Sequence, residues 1–461
     1  METIILQVVM ELVGEIIKTV LECRLNIEKA APRLLELMKR RAAEIMECLI
    51  ETTDKSLLED KSGRRKEGWA VERRGDKRAV MTQIGEIRYE RTYYQNKGTG
   101  TYGYPVDQIT GVMPYQHVDL GLSKALVGKS REASYHRVIG ECCEGQLSRQ
   151  TVLNKIRRAE AVISRAPGTG RVPELHIDAD EDHVALQGKG SRSRTNVPLI
   201  SVYEGVVEEG KRRRCRNIFH ISAYGKTPDK LWEEVLTRIE ERYDLTDTTI
   251  YLHGDGAEWI ARGMEWLPNA VFVLDKYHKN KYLSQMLAGY AAGKAGQLRR
   301  DLNQALYDMD EDYYDNLVQM IQTEMPQRWD KITQAAKYLR QHMPAIAIHA
   351  KDPSAGNGGA TEPHVSHVLS SRLSSRPMGW SKGTLERFVP ILANGPEVTF
   401  EQEKQSPCTS MAAVKAFQTT KRQALAARAH AQQQGTVPVI RSGKRTELYK
   451  LLHNMEFSPS Q

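Results

Sequence analysis

Three acidic positions in three local contexts could do chemistry together. Asp180 closes the run Glu174-Leu-His-Ile-Asp-Ala-Asp180, which continues as Glu-Asp-His-Val-Ala-Leu-Gln187. Asp255 lies in Tyr251-Leu-His-Gly-Asp-Gly-Ala-Glu-Trp-Ile260, and Glu362 stands just ahead of His364-Val-Ser-His-Val-Leu-Ser-Ser-Arg-Leu373. A strand-borne Asp, a strand-end Asp and a helix-borne Glu are what a two-metal phosphoryl-transfer site needs. Two Mg²⁺ ions about 3.5–4 Å apart require hard carboxylate oxygens converging from separate elements. The expectation is an enzyme that cuts and joins nucleic acid.

Each position also has an ordinary reading. If 174–180 is a strand, Leu175, Ile177 and Ala179 share one face, and His176, Asp178 and Asp180 share the other. Two carboxylates on one strand face repel unless a cation lies between them, so Asp178 and Asp180 are both candidates for the first position. A calcium loop built on Asp178, Asp180 and Asp182 fails, because His183 and Lys189 stand where Gly and Glu are required. Asp255 with Glu258 three residues on reads equally as a helix cap, although Ile250 and Leu252 mark a strand feeding into it, and strand ends are where open α/β sheets place ligands. Asp275 and His278 form Asp-x-x-His after the apolar run Val271–Leu274, and could be no more than a cap and a satisfied polar residue. Glu362 precedes Pro363, which favours a helix start.

The elements around these residues follow from periodicity. Residues 1–60 read as helical. Ile4, Ile5, Val8, Val9, Leu12, Ile16 and Ile17 recur at helical spacing but are broken by Glu11 and Glu15, so neither a signal peptide nor a spanning helix is expected, and no membrane association. The basic stretch 61–80 reads as a solvated linker or a phosphate-contacting arm, and residues 80–94 as a β-hairpin. Within 119–165, Ser134–Gly140 leads through Gly145 to a Ser148-capped helix, the helix-turn-helix pattern. Ser148, Arg149, Gln150, Asn154 and Lys155 would occupy the first turns of a recognition helix, suited to base edges and phosphates. Strands are expected at 174–180, 183–187, 197–206, 216–223, 248–253 and 270–274, with a helix opened by Thr227-Pro228. Asp182 falls in the turn between the first two. Residues 283–355 read as an all-α segment. Beyond 396 the chain is polar and then basic, a partly helical nucleic-acid tail or an unstructured one.

The 461 residues exceed one ordinary core. A net charge of +8 and a pI near 9.0 fit a polyanion partner without requiring one. Six cysteines, none in a Cys-x-x-Cys pair, argue for a reduced compartment.

Four stretches together resemble a known group: Asp178-Ala-Asp-Glu-Asp-His-Val184 with Leu186-Gln187, Gly254–Ile260, Leu274-Asp-Lys-Tyr-His278, and Ser366–Ser381 with its Arg372-to-Ser381 run. They look like the bacterial insertion-sequence transposases of the Lre type. These are similar to the Mutator-like DDE transposases and are also catalogued as an uncharacterised protein family. The resemblance spans about residues 80–385. It implies an α/β ribonuclease-H-like catalytic core with an all-α insertion, preceded by helical and helix-turn-helix DNA-binding regions. The divisions would be an N-terminal helical region at 1–60, a DNA-binding region at 61–170, the core at 171–282 and 356–395, the insertion at 283–355 and a tail at 396–461. Asp180, Asp255 and Glu362 would bind two Mg²⁺ (or Mn²⁺) ions, with Asp178 as the substitute for Asp180. Asp275 and His278 would support the site, and Arg372 and Arg376 would join the DNA contacts. Expected partners are the element ends, target DNA and further copies of the chain. The expected location is the bacterial cytoplasm, on the nucleoid when DNA is bound. Two other readings stay open: a helix-turn-helix regulator using the acids structurally, and a domesticated, inactive relative.

Overall fold

The computed structural model describes residues 2–163, 170–188, 193–210, 212–222, 224–357 and 361–401, with side chains from residue 10 onward save those of 212, 356–357 and 361–362. The tail at 402–461, with Cys408, lies outside the described residues. Contacts divide the described chain into two units, residues 1–123 with 142–144, and residues 124–141 with 145–401.

In the first unit, α1 (Glu2–Glu22) and α2 (Ile27–Glu59) are separated by Arg24 and Leu25 in left-handed conformation. Asn26 caps α2 by accepting from Lys29 N at 3.1 Å. Glu15 of α1 pairs with Arg41 of α2 at 2.5 Å. The basic stretch at 61–80 is not a linker. It forms a short helix, Lys61–Lys66, and then β1 (Trp69–Thr82), antiparallel to β2 (Gly85–Asn96) from Trp69↔Asn96 to Thr82↔Gly85. Two register shifts absorb its charged middle, where Arg73 is tied to Asp76 at 2.6 Å. Ala43, Ile50 and Leu57 of α2 pack on Val80, Ile87 and Tyr89 of the hairpin. Buried Asp54 on α2 accepts from Thr92 N and Thr92 Oγ1 at 3.1 and 2.7 Å.

Helices lead from the first unit into the second. After Leu120–Lys129 come α3 (Tyr135–Cys143) and α4 (Arg149–Arg158). Glu144 and Gly145, both left-handed, make the turn between them. Ser148 then caps α4, accepting from Thr151 N at 3.1 Å.

A five-stranded sheet follows, built from β3 (Glu174–Ala185), β4 (Arg194–Tyr203), β5 (Phe219–Ile221), β6 (Thr249–Gly254) and β7 (Ala270–Leu274). Numbered by appearance, the strands lie side by side as 3-2-1-4-5. β3 runs antiparallel to β4, and β4 to β5, while β6 is parallel to both β3 and β7. One difference from expectation bears on the site. β3 is a single strand, with no turn at 181–182, because its pairing with β4 is unbroken from His176↔Tyr203 to Ala185↔Arg194. Asp182 is therefore a strand residue, buried, and accepts from Ser374 Oγ at 2.8 Å.

One sheet face carries Leu175, Ile177, Ala179, Ile200, Val202, Ile250 and Leu252 and packs on α5 (Pro228–Glu240) through Leu231, Trp232, Val235 and Ile239. Each such fully buried side chain contributes about 1.5–3 kcal/mol. Thr227 caps α5 and Pro228 is its first residue, as the sequence suggests.

The helical segment starts at the end of β7, earlier than 283. It comprises α6 (Lys276–Leu287), α7 (Ala292–Asp308), α8 (Glu311–Glu324), α9 (Trp329–Gln341) and α10 (Met343–Lys351) around Leu283, Met286, Leu302, Ile321, Ile332, Leu339 and Ile346. The chain returns through α11 (Thr361–Val365), a π turn at Ser366–Ser370 and α12 (Lys382–Asn394). Val398–Phe400 pairs with Ala159–Ala161, so the unit extends past residue 396, where the tail was expected to begin. Among the described residues, no helix is long and apolar enough to cross a membrane.

Candidate active site beside the ends of two parallel strands

The sheet register brings the candidate acids together. His253 on β6 pairs with Asp178 on β3, and Gly254 pairs with Leu274 on β7. Continuing both pairings past the end of β6 sets Asp180, Asp255 and Asp275 in one row at the carboxyl ends of β6 and β7, where open sheets bind ligands.

The charges bear the row out. Burial pushes the Asp180 carboxyl up to about 6, the Glu181 N–H (2.8 Å) and His278 act against this, and Asp255 and Asp275 add to it by repulsion. Burial pushes the His278 imidazole down, but Asp275, Asp255 and Asp180 outweigh it and hold His278 above its ordinary value. His278 Nδ1 lies 3.7 Å from Asp275 Oδ2.

Each acid is fixed by its own neighbours. Asp255 makes no capping box with Glu258. The helix Glu258–Ala261 starts later, and Asp255 Oδ1 accepts from Ala257 N at 2.9 Å across left-handed Gly256. The backbone before it is closely packed: a Cβ on Gly254 would lie 2.9 Å from Ile260 Cγ2 and 3.2 Å from the Ala179 carbonyl. Tyr338 of α9 donates its hydroxyl to the Asp255 carbonyl at 2.5 Å. Asp275 is buried and caps α6, accepting from Tyr277 N at 2.5 Å, while its own N–H donates to the Gly254 carbonyl at 3.0 Å.

Asp178 and Asp180 share a strand face but not a role. Asp178 is buried, receives the Tyr203 hydroxyl on both oxygens at 3.1 Å, and lies 3.2 Å from His364 Nδ1. Burial pushes His364 down, but Asp178, with Cys215 Sγ at 3.6 Å, raises it to about 9. Asp178 is thus committed to a buried ion pair, and Asp180 is the β3 acid that faces the row. Behind them, His176 and His253 stack in the same wall, ring nitrogens 3.2 Å apart, and burial holds both down, His253 to about 4.

Glu362 lies on α11, two residues before His364, so the Asp178 pair ties its helix to β3. Its side chain lies outside the described residues. Among the described residues, no three His, Cys, Asp or Glu side chains form a group that could hold a metal ion. Asp180 and Asp255 supply hard oxygen donors, the set a divalent cation of the Mg²⁺ class takes, and the mutual repulsion at Asp180 fits a bound cation there.

The expected DNA contacts divide. Arg149, Gln150 and Asn154 are exposed on α4, with Gln150 Nε2 donating to Asn154 Oδ1 at 2.9 Å; Ser148 is the cap, and Lys155 is half-buried. Arg376 is exposed. Arg372 is buried, donates through Nε to the Ser130 carbonyl at 2.6 Å, and is packed among the rings of Tyr135, Trp380 and Phe388, so it does not project from an open surface.

Sequence reasoning missed Tyr203, Tyr338 and the pairing role of His364. His364 carried a signal, two positions from a candidate ligand; a tyrosine ending an apolar strand or lying within a helix carried none.

Residues 20–401 match the family described as Uncharacterised protein family (UPF0236). The UPF0236 protein TTE2489 of Caldanaerobacter subterraneus subsp. tengcongensis is 33% identical over 467 residues, covering 97% of this chain and 96% of its own. A second protein of that bacterium, 34% identical over 400 residues (85% of this chain, 83% of its own), has a name joining eleven locus designations, from TTE0033 to TTE2212. A third, 32% identical over 479 residues (99% and 98%), joins four. The chain belongs to the UPF0236 family.

Proposed function

For this member of an uncharacterised family we propose a DDE transposase, which cleaves DNA and transfers strands of an insertion sequence in a metal-dependent reaction on a ribonuclease-H-like core. The observation that carries the reading is the row of Asp180 on β3 beside Asp255 and Asp275 at the ends of β6 and β7, with the Glu362 helix tied to β3. The strand order 3-2-1-4-5, with its antiparallel first three strands and parallel last two, is that expected of such a core and supports the reading. So do the relatives' names: one protein sharing eleven loci of a genome is what a multiplying element leaves behind.

Asp180, Asp255 and Glu362 would hold two divalent cations. When bound, these supply charge neutralisation at the phosphodiester and lower the pKa of the attacking water or 3′-hydroxyl. The carboxylates themselves position and need not act as bases. His278, raised above its ordinary value by the acids around it, would add a donor at the edge of the row. Tyr338 and Gly254 fix the backbone that presents Asp255. DNA would be the substrate, a second copy of the chain would serve the second element end, and the nucleoid would be the place of action.

A second reading, a DNA-binding regulator or inactive relative, is favoured by the capped helix-turn-helix with exposed Arg149, Gln150 and Asn154. One experiment separates the two. The protein is incubated with Mg²⁺ or Mn²⁺ and DNA carrying the element's ends, with Asp255→Ala as control. Cleavage by the wild type alone is expected. Equal cleavage by both proteins sinks the triad assignment, and binding without cleavage by either favours the regulator.

A further inference from the structure

Away from the row of acids, the first turns of three helices line one cavity of about 470 Å³ in the second unit. Tyr135 and His136 open α3, Arg149 opens α4, and Ser381 with Thr384 caps and opens α12. Helix N-termini carry partial positive charge and attract anions. That alone would mean little, but three arginines, Arg149, Arg157 and Arg372, also line the space. Among the described residues, no Asp or Glu lines it.

Arg372 makes the case specific. It is 7% exposed, and among the described residues it has no carboxylate partner. Its contacts are the Ser130 carbonyl, Met378 Sδ at 3.4 Å and three aromatic rings. A buried cation is costly unless a counter-charge sits beside it. Burial and the nearby charge of Arg376 hold its pKa below the ordinary arginine value. The Tyr135 hydroxyl is likewise buried with no hydrogen-bond partner. The volume exceeds that of a bare phosphate, and Leu153 and Met378 give one wall an apolar surface against which a sugar could lie.

We propose that this cavity is a phosphodiester site, which takes one backbone phosphate of bound DNA and its deoxyribose between α4 and the Arg372–Ser381 run. The proposal rests on the DNA-processing reading and deepens it. The helix-turn-helix would be anchored by a fixed phosphate contact, while its exposed Gln150 and Asn154 remain available for bases. Arg372 supplies the charge, Trp380 and Phe388 hold it in place, and Arg157 donates to Thr384 Oγ1 and Ser381 Oγ at 3.1 and 3.2 Å, joining α4 to the cap of α12.

The test uses the full chain and a short fluorescent duplex in KCl from about 50 to 200 mM, without divalent metal. The logarithm of the binding constant falls with the logarithm of salt by about 0.9 for each phosphate contact. Arg149→Gln is expected to weaken binding several-fold and to make the slope shallower by about 0.9, and Arg149→Lys to restore it. Arg340→Gln, which removes a charge paired with Glu311 and Asp315 on the helical segment, is expected to leave the slope unchanged. An unchanged slope in Arg149→Gln, or an equal loss in Arg340→Gln, would overturn the site even if the protein cuts DNA. A chain showing the expected slopes but cutting nothing refutes the transposase and leaves the cavity assigned. Failure of the wild type to bind DNA refutes both.

Discussion

The Asp178–His364 pair predicts a stability that depends on pH in one direction. The perturbation is His364→Gln, which removes the titrating group but keeps a polar side chain beside Asp178. His364 is raised from 6.5 to about 9 in the folded chain. At 1.36 kcal/mol per pH unit, that gap corresponds to about 3 kcal/mol. The side chains of His364 and Asp178 are only 15% and 1% exposed, so solvent screening removes little of it. A group raised on folding stabilises fully below its unfolded pKa, and the contribution is lost as pH climbs through the folded value. Wild type and variant should therefore differ by about 3 kcal/mol near pH 6 and converge near pH 10. Urea unfolding followed by tryptophan fluorescence is the assay, because five of the six tryptophans, all but Trp69, lie in the unit that holds the pair. A difference that stays constant between the two pH values, or that is absent at the lower one, would refute the reasoning. The first outcome would mean that His364 contributes by packing alone, the second that Asp178 is satisfied by Tyr203 without it.

Two further outcomes follow from the walls of the row. Tyr338→Phe deletes the hydroxyl that holds the Asp255 carbonyl, so it should cost about 1 kcal/mol of stability in the same urea assay and reduce DNA cleavage by about 10–100-fold, as loss of a ligand-orienting contact does. Gly254→Ala places a Cβ 2.9 Å from Ile260 Cγ2 and 3.0 Å from Ile260 Cδ1, so unfolding should register about 1–3 kcal/mol of overpacking, and adding Ile260→Val, which removes Cδ1, should recover the part due to that atom.

The sequence made the sheet legible where a strand had one apolar and one polar face. Leu175, Ile177 and Ala179 alternate against His176, Asp178 and Asp180, and the structure keeps that division. Capped helices were equally readable at Thr227-Pro228 and Ser148, because a cap is a local hydrogen bond. The failures were non-local. Nothing in Glu181-Asp182 announces that β4 would pair along the whole of β3 and carry it straight through an expected turn. Nothing in Arg73-Arg74 announces a partner strand as long as β2. Nor does the sequence show that Asp178, rather than Asp180 on the same face, is the carboxylate engaged by Tyr203 and His364, which arrive 25 and 186 positions later.

The helical segment between Asp255 and Glu362 is best understood as a brace for the strand ends. It contacts the sheet at the ends of β6 and β7, where Asp255 and Asp275 leave it, and again within β6. Tyr338 of α9 holds the Asp255 carbonyl, and its ring is stacked 3.9 Å from Tyr282 of α6. His349 of α10 lies 3.0 Å from the Leu274 carbonyl, the residue before Asp275. Just past α10, Asp352 accepts the Tyr251 hydroxyl at 2.5 Å, under β6. A loop-borne Asp255 without these contacts would be free to move away from two neighbouring carboxylates, which is the direction their mutual repulsion favours. A segment that merely filled the interval would need its own core and no more. The core is there, but the polar contacts to the Asp255 and Leu274 carbonyls at two neighbouring strand ends are additional to it, and the one to Asp255 opposes that movement.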